Sequence, residues 1–121
     1  MATINHRVRV KASAAEVFRA LVEEDVLRPW RTNEPTLALR VIAVESPAHV
    51  EWRCVEGPAE WIGTHVRFDL ARAGGETVLR LGHLNWADAS DFMAECTTTW
   101  GRILLSLKAR LEVPEAEDLY V

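Results

Sequence analysis

The chain has 121 residues, 49% of them hydrophobic and 26% charged, which suits one self-sufficient globular domain and excludes a disordered or fibrous chain. Its formal net charge is −4 and its 14 lysines and arginines are scattered, so nothing in it reads as a footprint for nucleic acid or an anionic membrane. No run approaches the roughly 20 apolar residues that cross a bilayer, the opening residues lack the apolar core of a signal peptide, and Cys54 and Cys96 form no CxxC pair, so a cytoplasmic location is expected.

Residues 3–11 alternate, with Ile4, His6, Val8 and Val10 on one face and Asn5, Arg7, Arg9 and Lys11 on the other, as in a strand with one wet side. Ser13 and Glu16 then have the spacing of a capping box, predicting a short helix that turns Val17, Phe18 and Leu21 inward. A second helical turn over 24–27 is expected to end at Arg28-Pro29, because the residue before a proline avoids the α region, with Trp30 just beyond it. Residues 36–44 are apolar apart from Arg40 and stop at Ser46-Pro47, so they read as a strand.

Three more strands are predicted over 49–55, 61–72 and 76–85, separated by the turn-forming runs 56–60 and Gly74-Gly75. A two-residue turn at Gly74-Gly75 sets Leu70 opposite Leu79, Phe68 opposite Leu81, Val66 opposite His83 and Asp69 opposite Arg80. A loop over 56–60 sets Cys54 opposite Ile62, Trp52 opposite Thr64 and Val50 opposite Val66. Both registers put Val50, Trp52, Cys54, Ile62, Thr64, Val66, Phe68, Leu70, Leu79, Leu81 and His83 on one face, with Glu51, Arg53, His65, Arg67, Asp69 and Arg80 on the other. Trp61 reads as outward or in a loop, where a partner contact is available.

After Trp86 the period lengthens. Phe92, Cys96, Trp100, Ile103, Leu104, Leu107 and Leu111 recur every three or four residues, predicting an amphipathic helix over 90–112 with Asp88, Ser90 or Asp91 as its cap and Pro114 as its stop. At about 1.5 Å per residue such a helix is long enough to cross the whole sheet. The expected fold is therefore α+β: a curved antiparallel sheet packed on one long C-terminal helix, a single domain over 1–114 followed by an acidic tail over 115–121.

The order of elements resembles the helix-grip fold of the START-like (SRPBCC) superfamily, which includes Bet v 1 relatives. Within it the chain is similar to the small bacterial proteins grouped with activator of Hsp90 ATPase homologue 1, through the runs 4–13, 50–64, 82–86, 92–96 and 100–108. Those proteins usually place a Gly-rich strand pair between the first tryptophan and the strand that here follows Pro35, so this chain resembles the family with about one hairpin removed. The resemblance implies fewer strands, a smaller or more open cavity, and an exposed sheet edge that is a candidate for pairing in a homodimer.

The chemistry candidates all fall on the inner face. Trp52, Cys54, Phe68, Leu81, His83, Trp86, Phe92, Cys96 and Trp100 have the composition of a pocket for a flat apolar ligand, and equally of a solid core. His83 titrates near neutrality and has the chemistry of a general acid or base, yet no second acid, base or nucleophile stands at a spacing that demands a site. Cys54 and Cys96 read as small buried hydrophobes, and His6, His49, His65 and His83 show no metal-ligand spacing, so no cofactor or metal is expected. Three functions fit: a carrier of a small hydrophobic molecule or stand-alone accessory domain, an interaction module like the Hsp90 activator, and a small enzyme built on His83.

Overall fold

The structure is a computed structural model, and it describes residues 1–112. Five strands form one antiparallel sheet in the order β1-β5-β4-β3-β2, with β1 at Ala2–Val10, β2 at Ala38–Glu45, β3 at His49–Glu56, β4 at His65–Ala73 and β5 at Glu76–Trp86. Helices α1 (Ala14–Glu23) and α2 (Arg28–Arg31) connect β1 to β2, and α3 (Asp91–Glu112) follows β5 and packs along β1. The expected α+β helix-grip architecture is thus present, with five strands and only residues 32–37 between α2 and β2. Pro114 and the acidic 115–121 segment lie outside the described residues.

Local chemistry explains most boundaries. Ser13 caps α1 by accepting a hydrogen bond from the Glu16 N–H at 3.1 Å, while its own hydroxyl donates to the Glu16 carboxylate at 3.0 Å. Of the three candidate caps for α3, Ser90 is the one used, its Oγ accepting from Met93 N at 3.1 Å. The helical turn expected over 24–27 is displaced: α2 begins at Arg28, with Pro29 inside its first turn. A proline there gives up only an N–H that no helical carbonyl would accept, and its fixed φ already suits the helix.

The β4–β5 register is the expected one, Leu70 facing Leu79, Phe68 facing Leu81, Val66 facing His83 and Asp69 facing Arg80. The β3–β4 register differs by two residues, with Val50 facing Phe68 and Trp52 facing Val66. The loop is longer than its turn residues suggest. Gly57 takes φ +147°, residues Ala59–Trp61 form a 3-10 turn, and Cys54 N donates to Thr64 O at 2.9 Å, closing the ladder beyond that turn. A Cβ at Gly57 would sit 2.6 Å from Leu37 Cδ1, so any side chain there would push the Leu37 methyl aside as well as strain the backbone. A shift of two preserves which face each side chain takes, so the inner face is as expected apart from Ile62, which falls in the loop and is 51% exposed.

The two edges of the sheet are finished differently. At β1, α3 reaches across: Lys108 Nζ donates to Arg9 O at 2.5 Å, and Glu112 accepts from Lys11 N at 2.7 Å. At β2 every residue from Arg40 to Glu45 is exposed, including Val41 at 55%, Ile42 at 44% and Val44 at 56%. Among the described residues no helix of this chain is long and apolar enough to cross a membrane.

Candidate functional site

The space between sheet and helix is occupied by aromatic rings. Trp61, expected outward or in a loop, lies in the loop's 3-10 turn but is fully buried at their centre, where no partner can reach it. The 3-10 turn carries it back under the sheet, where its ring lies 4.7 Å from Trp30, 4.6 Å from His83, 6.4 Å from Trp86 and 6.5 Å from Trp100, nearly parallel to the last. Trp30 packs 4.7 Å from Trp100, Phe68 lies 5.9 Å from Trp100, and Trp52 extends the cluster through Phe68 at 5.6 Å. Phe92 closes the far end against Trp86 at 6.1 Å. All five tryptophans therefore share one continuous packed cluster. Edge-to-face contacts of this kind add about 0.5–1.5 kcal/mol each beyond area burial.

His83 sits inside this cluster with both ring nitrogens engaged. Trp100 Nε1–H donates to Nδ1 at 3.1 Å, and because an indole nitrogen is only a donor, Nδ1 carries no proton. Nε2–H then donates to Thr64 Oγ1 at 2.9 Å, and the Thr64 hydroxyl passes the chain on to Trp61 O at 2.6 Å. Desolvation drives the His83 pKa down to about 3, so the ring is neutral at physiological pH. A general acid or base needs a free nitrogen facing substrate, and this ring has none to offer.

The cysteines are equally enclosed. Burial raises the Cys54 thiol, the Glu56 backbone draws it partly back, and the thiol donates to Glu56 O at 3.4 Å. Burial also raises Cys96, against which the Trp61 and Trp30 indoles draw it back. Trp61 Nε1 approaches that sulfur without a well-aligned hydrogen bond, and Trp86 Nε1 has no partner among the described residues. Neither thiol has the exposure or the lowered pKa of a nucleophile.

Of the nine expected pocket residues, Cys54, Phe68, Leu81, His83, Trp86, Cys96 and Trp100 are buried in the common core, and Trp52 and Phe92 pack against it half-buried. The sequence pattern brings these nine together but misses Trp30, Trp61 and Thr64 as their partners. The available signal is the bracket of Gly57-Pro58 and Gly63 around Trp61, two breakers that let a loop fold inward.

Open space lies outside the aromatic cluster. A groove of about 360 Å³ runs between α1, α2 and β2–β3, lined by Leu21, Val26, Leu39 and Trp52 with Glu23 and Asp25 at its rim. A second, of about 650 Å³, separates the α1–α2 connection from α3, lined by Val26, Pro29, Ile103 and Leu107 with Arg28 and Arg102. On the convex face His49 pairs with Asp69 at 2.6 Å and His65 with Glu51 at 2.9 Å, while Arg67 lies 3.0 Å from Asp69. Among the described residues no group of three or more histidines, cysteines and carboxylates is arranged to hold a metal ion.

A five-stranded antiparallel sheet gripping one long C-terminal helix over an aromatic interior defines a START-like helix-grip domain. The chain is similar to the Aha1 dimer from Colwellia psychrerythraea, known from a solution structure, at 32% identity and a TM-score of 0.78, covering 96% of this chain and 100% of that one. It belongs to the family of activator of Hsp90 ATPase homologue 1-like proteins. The same fold occurs in CalU16 from Micromonospora echinospora, at 18% identity over 96% of this chain and 79% of that one with a TM-score of 0.71. It occurs also in a Mesorhizobium loti protein at 16% identity, covering 89% of this chain and 95% of that one, with a TM-score of 0.70. Comparison with family models and with curated proteins finds no match.

Proposed function

We propose that this protein is an accessory module that acts through protein contacts as a homodimer, and not through a molecule held between its sheet and its helix. The closed aromatic interior carries this reading: Trp30 and Trp61 occupy the room a ligand would need, and both nitrogens of His83 are satisfied by the protein itself. Homodimerisation is supported by the Colwellia relative, described as a dimer, and by the exposed β2 edge. Two buried free cysteines are in keeping with a cytoplasmic setting. Given the family, an ATP-driven chaperone of the Hsp90 class is the first partner to try.

Native mass spectrometry of the purified protein tests the reading, with twice the chain mass and no added organic mass expected. A stoichiometric small molecule carried through purification would make the protein a carrier instead. Addition to an Hsp90-class chaperone should alter its ATP turnover, and neither effect nor binding would remove that chaperone as the partner.

A second reading, a small apolar ligand on the outer groove, is favoured by one observation: the half-buried Trp52 forms a wall there with Leu39 and Leu21. Saturable quenching of tryptophan emission by a titrated fatty acid, lost in Trp52→Ala, would support it.

A further inference from the structure

The β2 edge has a pattern that selects what can add to it. Its pairing with β3 assigns the faces: Leu39, Val41 and Val44 lie opposite Cys54, Trp52 and Val50 on the inner side, while Arg40, Ala43 and Glu45 lie opposite Arg53, Glu51 and His49 on the outer side. The bulge between Val41 and Ala43 shifts the alternation by one residue. As a result the inner residues Val41 and Val44, and the outer residues Arg40 and Glu45, are placed symmetrically about the Ile42–Ala43 bond.

Such a strand is complementary to itself when a copy runs beside it in the antiparallel sense. Centred on that bond, Arg40 faces Glu45 of the partner subunit and Val41 faces Val44 of the partner subunit, each pair on a single face as directly opposed residues must be. Two features of the protomer favour this. Arg40 lies across from Arg53, a like-charge neighbour, and among the described residues neither Arg40 nor Glu45 makes an ion pair, so an added Glu45 supplies the missing counter-charge. Val41, Ile42 and Val44 together leave an exposed apolar strip on an unpaired edge.

We propose that two copies of this chain join β2 to β2 in that register, with Arg40 paired to the partner's Glu45 twice by symmetry, to make one sheet running through both protomers. This rests on the homodimerisation proposed above and adds the interface, its register and its specificity.

The test is charge complementation followed by sedimentation velocity, with circular dichroism showing that each variant is folded. Arg40→Glu or Glu45→Arg alone sets like charges opposite each other twice, and each variant should dimerise about tenfold more weakly or worse. Mixing the two variants in equal amounts restores opposite charges at both contacts, so the mixture should dimerise more tightly than either variant alone. Single variants that dimerise as tightly as wild type, or a mixture no better than its components, would overturn the register while leaving homodimerisation standing. Wild-type protein that stays monomeric at concentrations of roughly 100 μM would overturn homodimerisation itself.

Discussion

The two halves of the sheet are built to different rules. Under β1, β5 and β4 the inner face is covered by α1 and α3, and Trp61, Trp86, Trp100, Phe68 and His83 are fully buried there. Under β2 and at Trp52 in the middle of β3 the cover thins: Leu39 and Trp52 are only half-buried, and Val41 and Val44 are exposed. The strands of the open half are no less apolar than those of the closed half, β2 (ALRVIAVE) being the most apolar of all. What separates them is which side chains the α1–α2 connection and α3 can reach, so burial here is a property of the cover and not of the strand.

The comparison breaks most sharply at Trp61. Trp61→Ala empties the centre of the closed half and should destabilise the protein by about 3–5 kcal/mol in chemical denaturation. A loss below about 1 kcal/mol would mean that the rings around it do not depend on it.

His83 gives the next largest effect, read by pH. Its folded pKa of about 3 lies below the ordinary value of 6.5, so the unfolded chain binds a proton between these limits that the folded protein refuses. Stability should therefore be complete above pH 6.5 and fall as the pH drops towards 3, by about 1.4 kcal/mol per pH unit at the steepest, or about 2 kcal/mol by pH 5. His83→Phe should flatten that part of the profile, and an unchanged slope in the variant would assign the acid sensitivity elsewhere.

Thr64→Val tests the hydrogen-bond chain at one link. It leaves His83 Nε2–H buried without an acceptor, at a cost of about 1–2 kcal/mol, and the imidazole nitrogen shifts in NMR should report the loss of that bond. The smallest effect belongs to the open half. Val41→Thr should change the unfolding free energy of dilute protein by less than about 0.5 kcal/mol, and a large loss there would show that the inner face of β2 is covered after all.

The strands, the helix α3 and the β4–β5 register were legible because each rests on local signals: alternation, a 3.6-residue period, and a Gly-Gly turn with no room for variation. The β3–β4 register was less so. Its turn residues marked a loop, but not that residues beyond Glu60 would be drawn into a 3-10 turn, and that choice moved the pairing by two. The nine candidate site residues were found by facing, which periodicity reports well. Whether they would enclose a space or fill it depended on Trp30 and Trp61, both outside any strand, where no period operates.

By itself, then, the sequence determined the element order and the sheet's inner face, because backbone propensity and side-chain alternation act over a few residues. Tertiary structure decided that Trp61 turns inward, that His83 is neutral and closed off, and that β2 is left bare. Each of these depends on which surfaces meet across distant segments, such as Thr64 with His83, Trp30 with Trp100 and Lys108 with Arg9. Packing settles such contacts by competition for the same space, and no local pattern records the outcome.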